Sequence, residues 1–301
     1  VLGALGLAAA GGGGTLFLGR AVTGMAAAGW VAFTTFFTGY YPAERSARAI
    51  GTINAVNQVA LVAATGSGGV LADAFGYKSV FLVAAGLALL ALAALAFARE
   101  PSSAARGRQS AGLRRVLAGH LLLASAGMAV LMQFATFSSI FGFIPTYGAS
   151  IGASNSELGA ITMVTLAASA VAAVASVRIA ERFNYTLALS LGAVLLGGSL
   201  LLVPVTDTPQ SLALVQIMSG LGRGSLQTLL MALSIRAAPP GTRATAMGVY
   251  QAAYSIGMLA GPLVSGVVAD SLDMDTVFRL SAVLALSIAV VAQHGVVRRA
   301  S

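Results

Sequence analysis

Two charged side chains lie inside otherwise apolar stretches, Arg20 in Leu16–Gly24 and Arg223 in Leu212–Leu233. Placing a guanidinium in hydrocarbon costs about 2.5–3.5 kcal/mol on insertion scales, so such a residue marks a functional site by default. Arg223 has company. Gln216 precedes it by 7 residues, Gln227 follows by 4 and Ser234 by a further 7, which keeps the polar groups on one helical stripe. A planar guanidinium fork in such a stripe suits a carboxylate or phosphate, and the reading is a substrate contact. The competing reading is an arginine bonded to main-chain carbonyls of a neighbouring helix. The polar stripe favours the first, because a bilayer-buried arginine beside polar groups belongs in a wet cavity.

Arg20 has Thr23, Thr34 and Thr38 roughly below it, and its plainer reading is an anchor reaching outward. Asn54, Asn57 and Gln58 form a second polar patch, with Gln251, Tyr254 and Ser255 as a third. Membrane amides often only bond helix to helix, which is the plainer reading for most of them. Gln133, Phe137 and Tyr147 are further candidates to line a cavity, although aromatics at helical spacing usually pack. The substrate-contact candidates are thus Arg223, Gln216, Gln227, Gln133, Tyr254 and Gln251. The coupling candidates are Arg20 and Asp73. None of the nine acidic residues falls mid-span, so a proton-coupling carboxylate is confined to an edge such as Asp73 or Glu157, or to sequence before Val1. His120 and His294 read as interfacial. No serine–histidine–aspartate array, phosphate loop or metal spacing is present, so no enzyme, cofactor or metal is implied.

The elements that carry these residues follow from composition. Hydrophobic residues make up 57% of the 301 positions and charged residues 9%, against about 25% charged in a soluble domain. Apolar runs of about 20 residues recur, the length that spans a bilayer as helix. They predict helices at about 15–40, 49–72, 79–98, 117–147, 158–177, 185–205, 210–235, 244–269 and 277–297, with half a helix at 1–12. The connections then alternate between two sides. One holds thirteen of the 17 basic residues, including Arg99, Arg106, Arg178, Arg182, Arg236 and Arg298; the other holds only Lys78 and Arg279. This asymmetry places the first side and the C-terminus in the cytoplasm, and it explains the net charge of +8 without nucleic acid. With no cysteine, disulfides are excluded.

The chain also repeats itself. Gly51 to Phe81 matches Gly248 to Phe278 without gaps at an offset of 197, sharing the endings Gly69-Val70-x-Ala72-Asp73 and Gly266-Val267-x-Ala269-Asp270. Both copies start on the cytoplasmic side, so the repeat is parallel. Extending the offset places Val1 opposite Gly198, in the middle of a helix, and the expectation is a chain that opens midway through a third helix.

Several stretches resemble the major facilitator superfamily. Leu16-Phe17-Leu18-Gly19-Arg20-Ala21-Val22-Thr23-Gly24 resembles its fourth-helix arginine motif, and Pro42-Ala43-Glu44-Arg45-Ser46-Ala47-Arg48-Ala49 resembles its loop between helices four and five. Gly68-Gly69 with Ala72-Asp73 and Phe81 resembles the end of the fifth-helix motif; Gly257-x-x-x-Gly261-Pro262 resembles that motif again in helix eleven. Glu181-Arg182-Phe183 sits where the weaker copy of the family's Asp-Arg loop motif belongs. Ala64-Thr65 replaces the Gly-Pro of antiporters in helix five, which counts against antiport, while Gly261-Pro262 counts for it. The resemblance puts Arg223 in a cavity-lining helix ten and gives Arg20 a part in coupling or gating.

The expected fold is an all-α integral membrane protein of two parallel-repeat bundles, with about nine and a half spans of twelve. Residues 1–98 are the remainder of the N-terminal bundle, 99–116 a cytoplasmic linker and 117–301 a C-terminal six-helix bundle. The expected function is secondary active transport of a small molecule by alternating access, with efflux ahead of uptake. The alternatives are a non-transporting scaffold or receptor on the same fold, or an inactive truncated fragment. The expected partners are a polar or anionic substrate, the bilayer of the cell membrane and a coupling proton, for a protein acting as a monomer.

Overall fold

The described residues form helices and no strands, as expected for a backbone that must satisfy its own hydrogen bonds in lipid. A computed structural model describes residues 1–27, 29, 30, 33, 36, 37, 40, 46–98, 117, 119–236 and 242–293. The chain divides into two compact units, Val1–Gly107 and Arg108–Ser301. The division falls within the expected linker 99–116, all of which lies outside the described residues.

The first unit contains α1 (Leu2–Ala8), α2 (Gly13–Ala27), α3 (Ser46–Phe75) and α4 (Tyr77–Ala96). The short α1 packs on α2 and α4, and α3 packs on α4. Between α3 and α4 the chain turns at Gly76, whose φ of 76° is a left-handed value that glycine adopts at little cost. The Ser79 hydroxyl donates to the Gly76 carbonyl at 2.7 Å and closes the turn.

The second unit begins with α5 (His120–Ala135), which runs through a π-helical segment, Thr136–Phe143, into α6 (Ile144–Ser150). It continues with α7 (Asn155–Arg182), α8 (Tyr185–Leu202) with a 3₁₀ turn at Val203–Val205, α9 (Pro209–Arg236), α10 (Arg243–Ser271) and α11 (Met274–Gln293). Side-chain caps fix the helix starts. Ser154 and Glu157 form a capping box on α7, and Asn184 Oδ1 accepts the Leu187 N–H at 2.7 Å on α8. In the core, α7 packs on α9, α8 on both α9 and α11, and α5 on α9, α10 and α11. Leu122, Met132, Leu189, Leu196 and Leu226 fill the space between them. The Tyr147 and Phe278 rings meet edge to face at 5.6 Å, and the Tyr147 hydroxyl donates to the Thr206 carbonyl at 3.0 Å.

Among the described residues, six helical stretches are long and apolar enough to cross a membrane: Tyr77–Ala96, His120–Ser150, Asn155–Arg182, Tyr185–Val205, Thr245–Ser271 and Met274–Gln293. The 28-residue α9 is long enough but carries Gln216, Arg223 and Gln227, and it is not one of the six.

One helix boundary repeats at the offset read from the residues. Tyr77 and Met274 start α4 and α11, 197 residues apart. One expectation is corrected. The span at 117–147 is not continuous α-helix, because Thr136–Phe143 is π-helical. Hydroxyls compete there for helix carbonyls: Thr136 Oγ1 donates to Met132 O at 2.8 Å, and Ser139 Oγ donates to Ala135 O. At the N-terminus the expected half-helix is the shorter α1. The expected helix at 15–40 is α2 as far as Ala27, with most positions beyond it outside the described residues.

Candidate polar site on helix α9

Three glycines decide how α9 meets its neighbours. A Cβ on Gly220 would overlap the Thr165 carbonyl of α7, and one on Gly224 would overlap the Ser169 carbonyl of the same helix. A Cβ on Gly222 would lie 2.7 Å from the Gly192 carbonyl of α8. Small residues four apart let membrane helices come to backbone contact, and here they seat α9 against α7 on one side and α8 on the other.

Arg223 projects between these glycines. It is half-buried, with its Nε fully buried and without a hydrogen-bond partner among the described residues. One terminal nitrogen, Nη1, donates to Ser169 Oγ in a long contact of 3.5 Å. The guanidinium carbon lies 5.4 Å from the centroid of the Phe141 ring, a cation–π arrangement with the π-helical segment. Ser169 itself is 3% exposed, and its hydroxyl reaches the Gly220 carbonyl at 2.9 Å and the Thr165 carbonyl at 3.0 Å.

Gln216 is fully buried, and among the described residues neither its Oε1 nor its Nε2 has a partner. The Ser219 hydroxyl, between Gln216 and Arg223 on the helix, is likewise buried and unpartnered. Gln227 is half-buried. Ser234, the last member of the expected stripe, is fully buried and turns its hydroxyl back to the Met231 carbonyl at 2.7 Å, so it serves its own helix.

The remaining candidates lie on helices that touch α9. Gln133, on α5, is 5% exposed with an unpartnered Oε1. Gln251 and Tyr254 are half-buried on α10, where Tyr254 meets Tyr250 edge to face at 5.5 Å. The Tyr250 hydroxyl is buried without a partner. Helices α5, α9 and α10 pack on one another, so the fold gathers the carriers of all six substrate-contact candidates into one unit.

The two coupling candidates belong to the other unit. Arg20 is exposed on α2, where the Thr23 hydroxyl donates to its carbonyl at 2.8 Å, and Asp73 is exposed near the end of α3. Asn57 is exposed on α3; the side chains of Asn54 and Gln58, with Thr34, Thr38 and His294, lie outside the described residues. The described acidic residues sit at helix ends or in connections: Asp73, Glu157, Glu181, Asp207, Asp270, Asp273 and Asp275. His120 is exposed at the first position of α5.

Ser169 and Phe141 are the residues that sequence reasoning missed. The Gly220-x-x-x-Gly224 spacing is a signal of close helix approach, but which helix it would meet depends on tertiary register.

The model of the Major Facilitator Superfamily matches residues 1–150 and 126–300. A multidrug resistance protein, MdtG, of Salmonella heidelberg (strain SL476) is 24% identical over 269 residues, covering 86% of this chain and 66% of that protein. The protein of the same name in Enterobacter lignolyticus (strain SCF1) is 26% identical over 256 residues, covering 81% and 60%. The chain thus spans roughly three fifths to two thirds of these curated relatives. A solved bacterial homologue of the human lysosomal transporter Spinster, inward-facing and unoccupied, shares the fold with a TM-score of 0.76. It is 16% identical, with 97% of this chain and 80% of that chain covered. The chain belongs to the Major Facilitator Superfamily, a family of multi-pass membrane transport proteins and not of enzymes.

Proposed function

We propose that this chain moves a small molecule across the cell membrane as part of a secondary active transporter working by alternating access. The polar face of α9 supplies the substrate contacts. The observation that carries this reading is the pair of Arg223 and Gln216, whose buried Nε, Oε1 and Nε2 have no partner. An unmade buried hydrogen bond costs about 1–3 kcal/mol, and more for a charged group. A scaffold gains nothing from keeping such groups inside a bundle. A transporter uses them on a carboxylate, phosphate or amide of its cargo. Gln227 on the same helix, with Gln133, Gln251 and Tyr254 on the adjoining helices, completes the set.

Export is favoured over uptake, because the relatives are named for multidrug resistance and Gly261-Pro262 resembles the antiporter motif. Coupling to protons falls to Asp73 or Glu157, and Arg20 gates or couples. Charge asymmetry puts the C-terminus in the cytoplasm.

The test uses the chain expressed with its upstream coding sequence, purified into lipid nanodiscs and probed with fluorescein, a carboxylate, and ethidium, a cation. Arg223→Lys keeps the charge and loses the fork; it should weaken fluorescein binding with the melting temperature unchanged. Arg223→Ala should lower affinity about tenfold to a hundredfold, the equivalent of a charge-assisted contact of about 1.5–3 kcal/mol. Normal binding by both variants, with lost stability, would leave Arg223 as a structural residue.

A further inference from the structure

We infer that Ser169, on α7, is a positioning residue for Arg223 and sets how strongly the site prefers a carboxylate. The inference rests on Arg223 being the substrate contact proposed above. A serine hydroxyl has one proton and two lone pairs. The Ser169 proton is committed to main-chain carbonyls, Gly220 O at 2.9 Å and Thr165 O at 3.0 Å. Its lone pairs therefore serve as the acceptor for Arg223 Nη1 at 3.5 Å. One hydroxyl thus reads the backbone of both helices and passes that position to the guanidinium.

The guanidinium is rigid and planar, so two constraints orient it. Phe141 takes its face at 5.4 Å, and Ser169 takes one nitrogen of its edge. What remains is the rest of the fork, including the buried Nε that has no partner. A fork held in one plane can meet a carboxylate with two parallel bonds; a fork free to rotate loses that geometry while keeping its charge. The backbone contact at Gly220 and Gly224 makes the arrangement stiff, because neither helix can slide past the other without lifting a carbonyl over a glycine. Ser169 is not needed for that contact, which the glycines make alone.

The two roles separate experimentally. In nanodiscs, Ser169→Ala should weaken fluorescein binding about threefold to tenfold and leave ethidium binding unchanged. In vesicles, the concentration for half-maximal fluorescein transport should rise with the maximal rate preserved. The melting temperature should stay within a degree or two of the parent. In an Arg223→Lys background, adding Ser169→Ala should cause no further loss, because the fork it positions is gone. Unchanged fluorescein affinity in Ser169→Ala, beside a clear loss in Arg223→Lys, would overturn the positioning role and leave the substrate contact standing. Additive losses in the double variant would overturn it as well. Normal fluorescein binding by Arg223→Lys and Arg223→Ala would bring down the substrate contact first, and the positioning role with it.

Discussion

Gly224 of α9 lies so close to Ser169 of α7 that a Cβ on the glycine would come within 2.6 Å of the serine Cα. One turn earlier, Gly220 makes the same approach to Thr165. The paired positions advance together along both helices, so α7 and α9 run parallel through the contact. Between helices in lipid, such backbone approach replaces the hydrophobic drive that water would supply.

A methyl group at this contact has nowhere to go. Gly224→Ala should destabilise the protein by about 1–3 kcal/mol, the usual cost of overpacking a tight core. Gly248, on α10, has nothing within 4 Å of its would-be Cβ. Gly248→Ala should be neutral or stabilise by about 0.5–1 kcal/mol through helix propensity. Thermal unfolding in one detergent compares the two; equal shifts would refute the close contact.

The π-helical segment carries a second prediction. Ser138 Oγ is hydrogen-bonded to Ser265 Oγ of α10 and to Ser281 Oγ of α11 at 3.0 Å, and all three serines are fully buried. Ser138→Ala removes the shared partner and strands two hydroxyls, so it should cost about 1–3 kcal/mol. The triple variant with Ser265→Ala and Ser281→Ala strands none and should recover most of that loss. Melting temperatures of the two proteins decide it, and a triple variant much less stable than Ser138→Ala would count against the node.

Helix existence was readable because a bilayer forces length, and the 197-residue repeat in identities such as Asp73 and Asp270 reappears in the starts of α4 and α11 at Tyr77 and Met274. Arg223 was readable as a site because a guanidinium in an apolar run is conspicuous. Its partners were not. Ser169 lies 54 residues away, in a run of alanines and serines where several hydroxyls compete, and only the register of α7 on α9 selects it. The π segment was hidden for a related reason. Thr136, Ser138 and Ser139 fit an α-helix equally well by composition, so nothing in the residues marks the change of winding. Ser234 looked like a fourth member of the stripe because spacing says nothing about a hydroxyl folding back onto Met231.

Topology can be checked cleanly because the chain has no cysteine of its own. Single cysteines at Ser102 and Asp207 fall on opposite sides by the charge asymmetry. In intact cells an impermeant maleimide should label Asp207→Cys and spare Ser102→Cys, with both labelled after lysis. The opposite pattern would invert the orientation.

Asp273, in the connection before α11, supplies the pH prediction. Its Oδ1 accepts the Thr276 N–H at 2.6 Å, and the Thr276 hydroxyl and the nearby Arg279 act in the same direction, so its pKa is held below the ordinary value. The unfolded chain then binds the proton more readily than the folded one. Stability from this cap is therefore present above the ordinary aspartate pKa of about 3.9 and is lost as pH falls through that value towards the folded one. Asparagine also caps helices but does not titrate, so Asp273→Asn removes the dependence while keeping the hydrogen bond. Melting temperatures of the parent and Asp273→Asn, measured from pH 6 down to pH 3 in zwitterionic detergent, should differ in slope, with the parent falling more steeply. Other carboxylates titrate equally in both proteins and cancel in the comparison. Parallel curves would show that the cap carries no pH-linked stability.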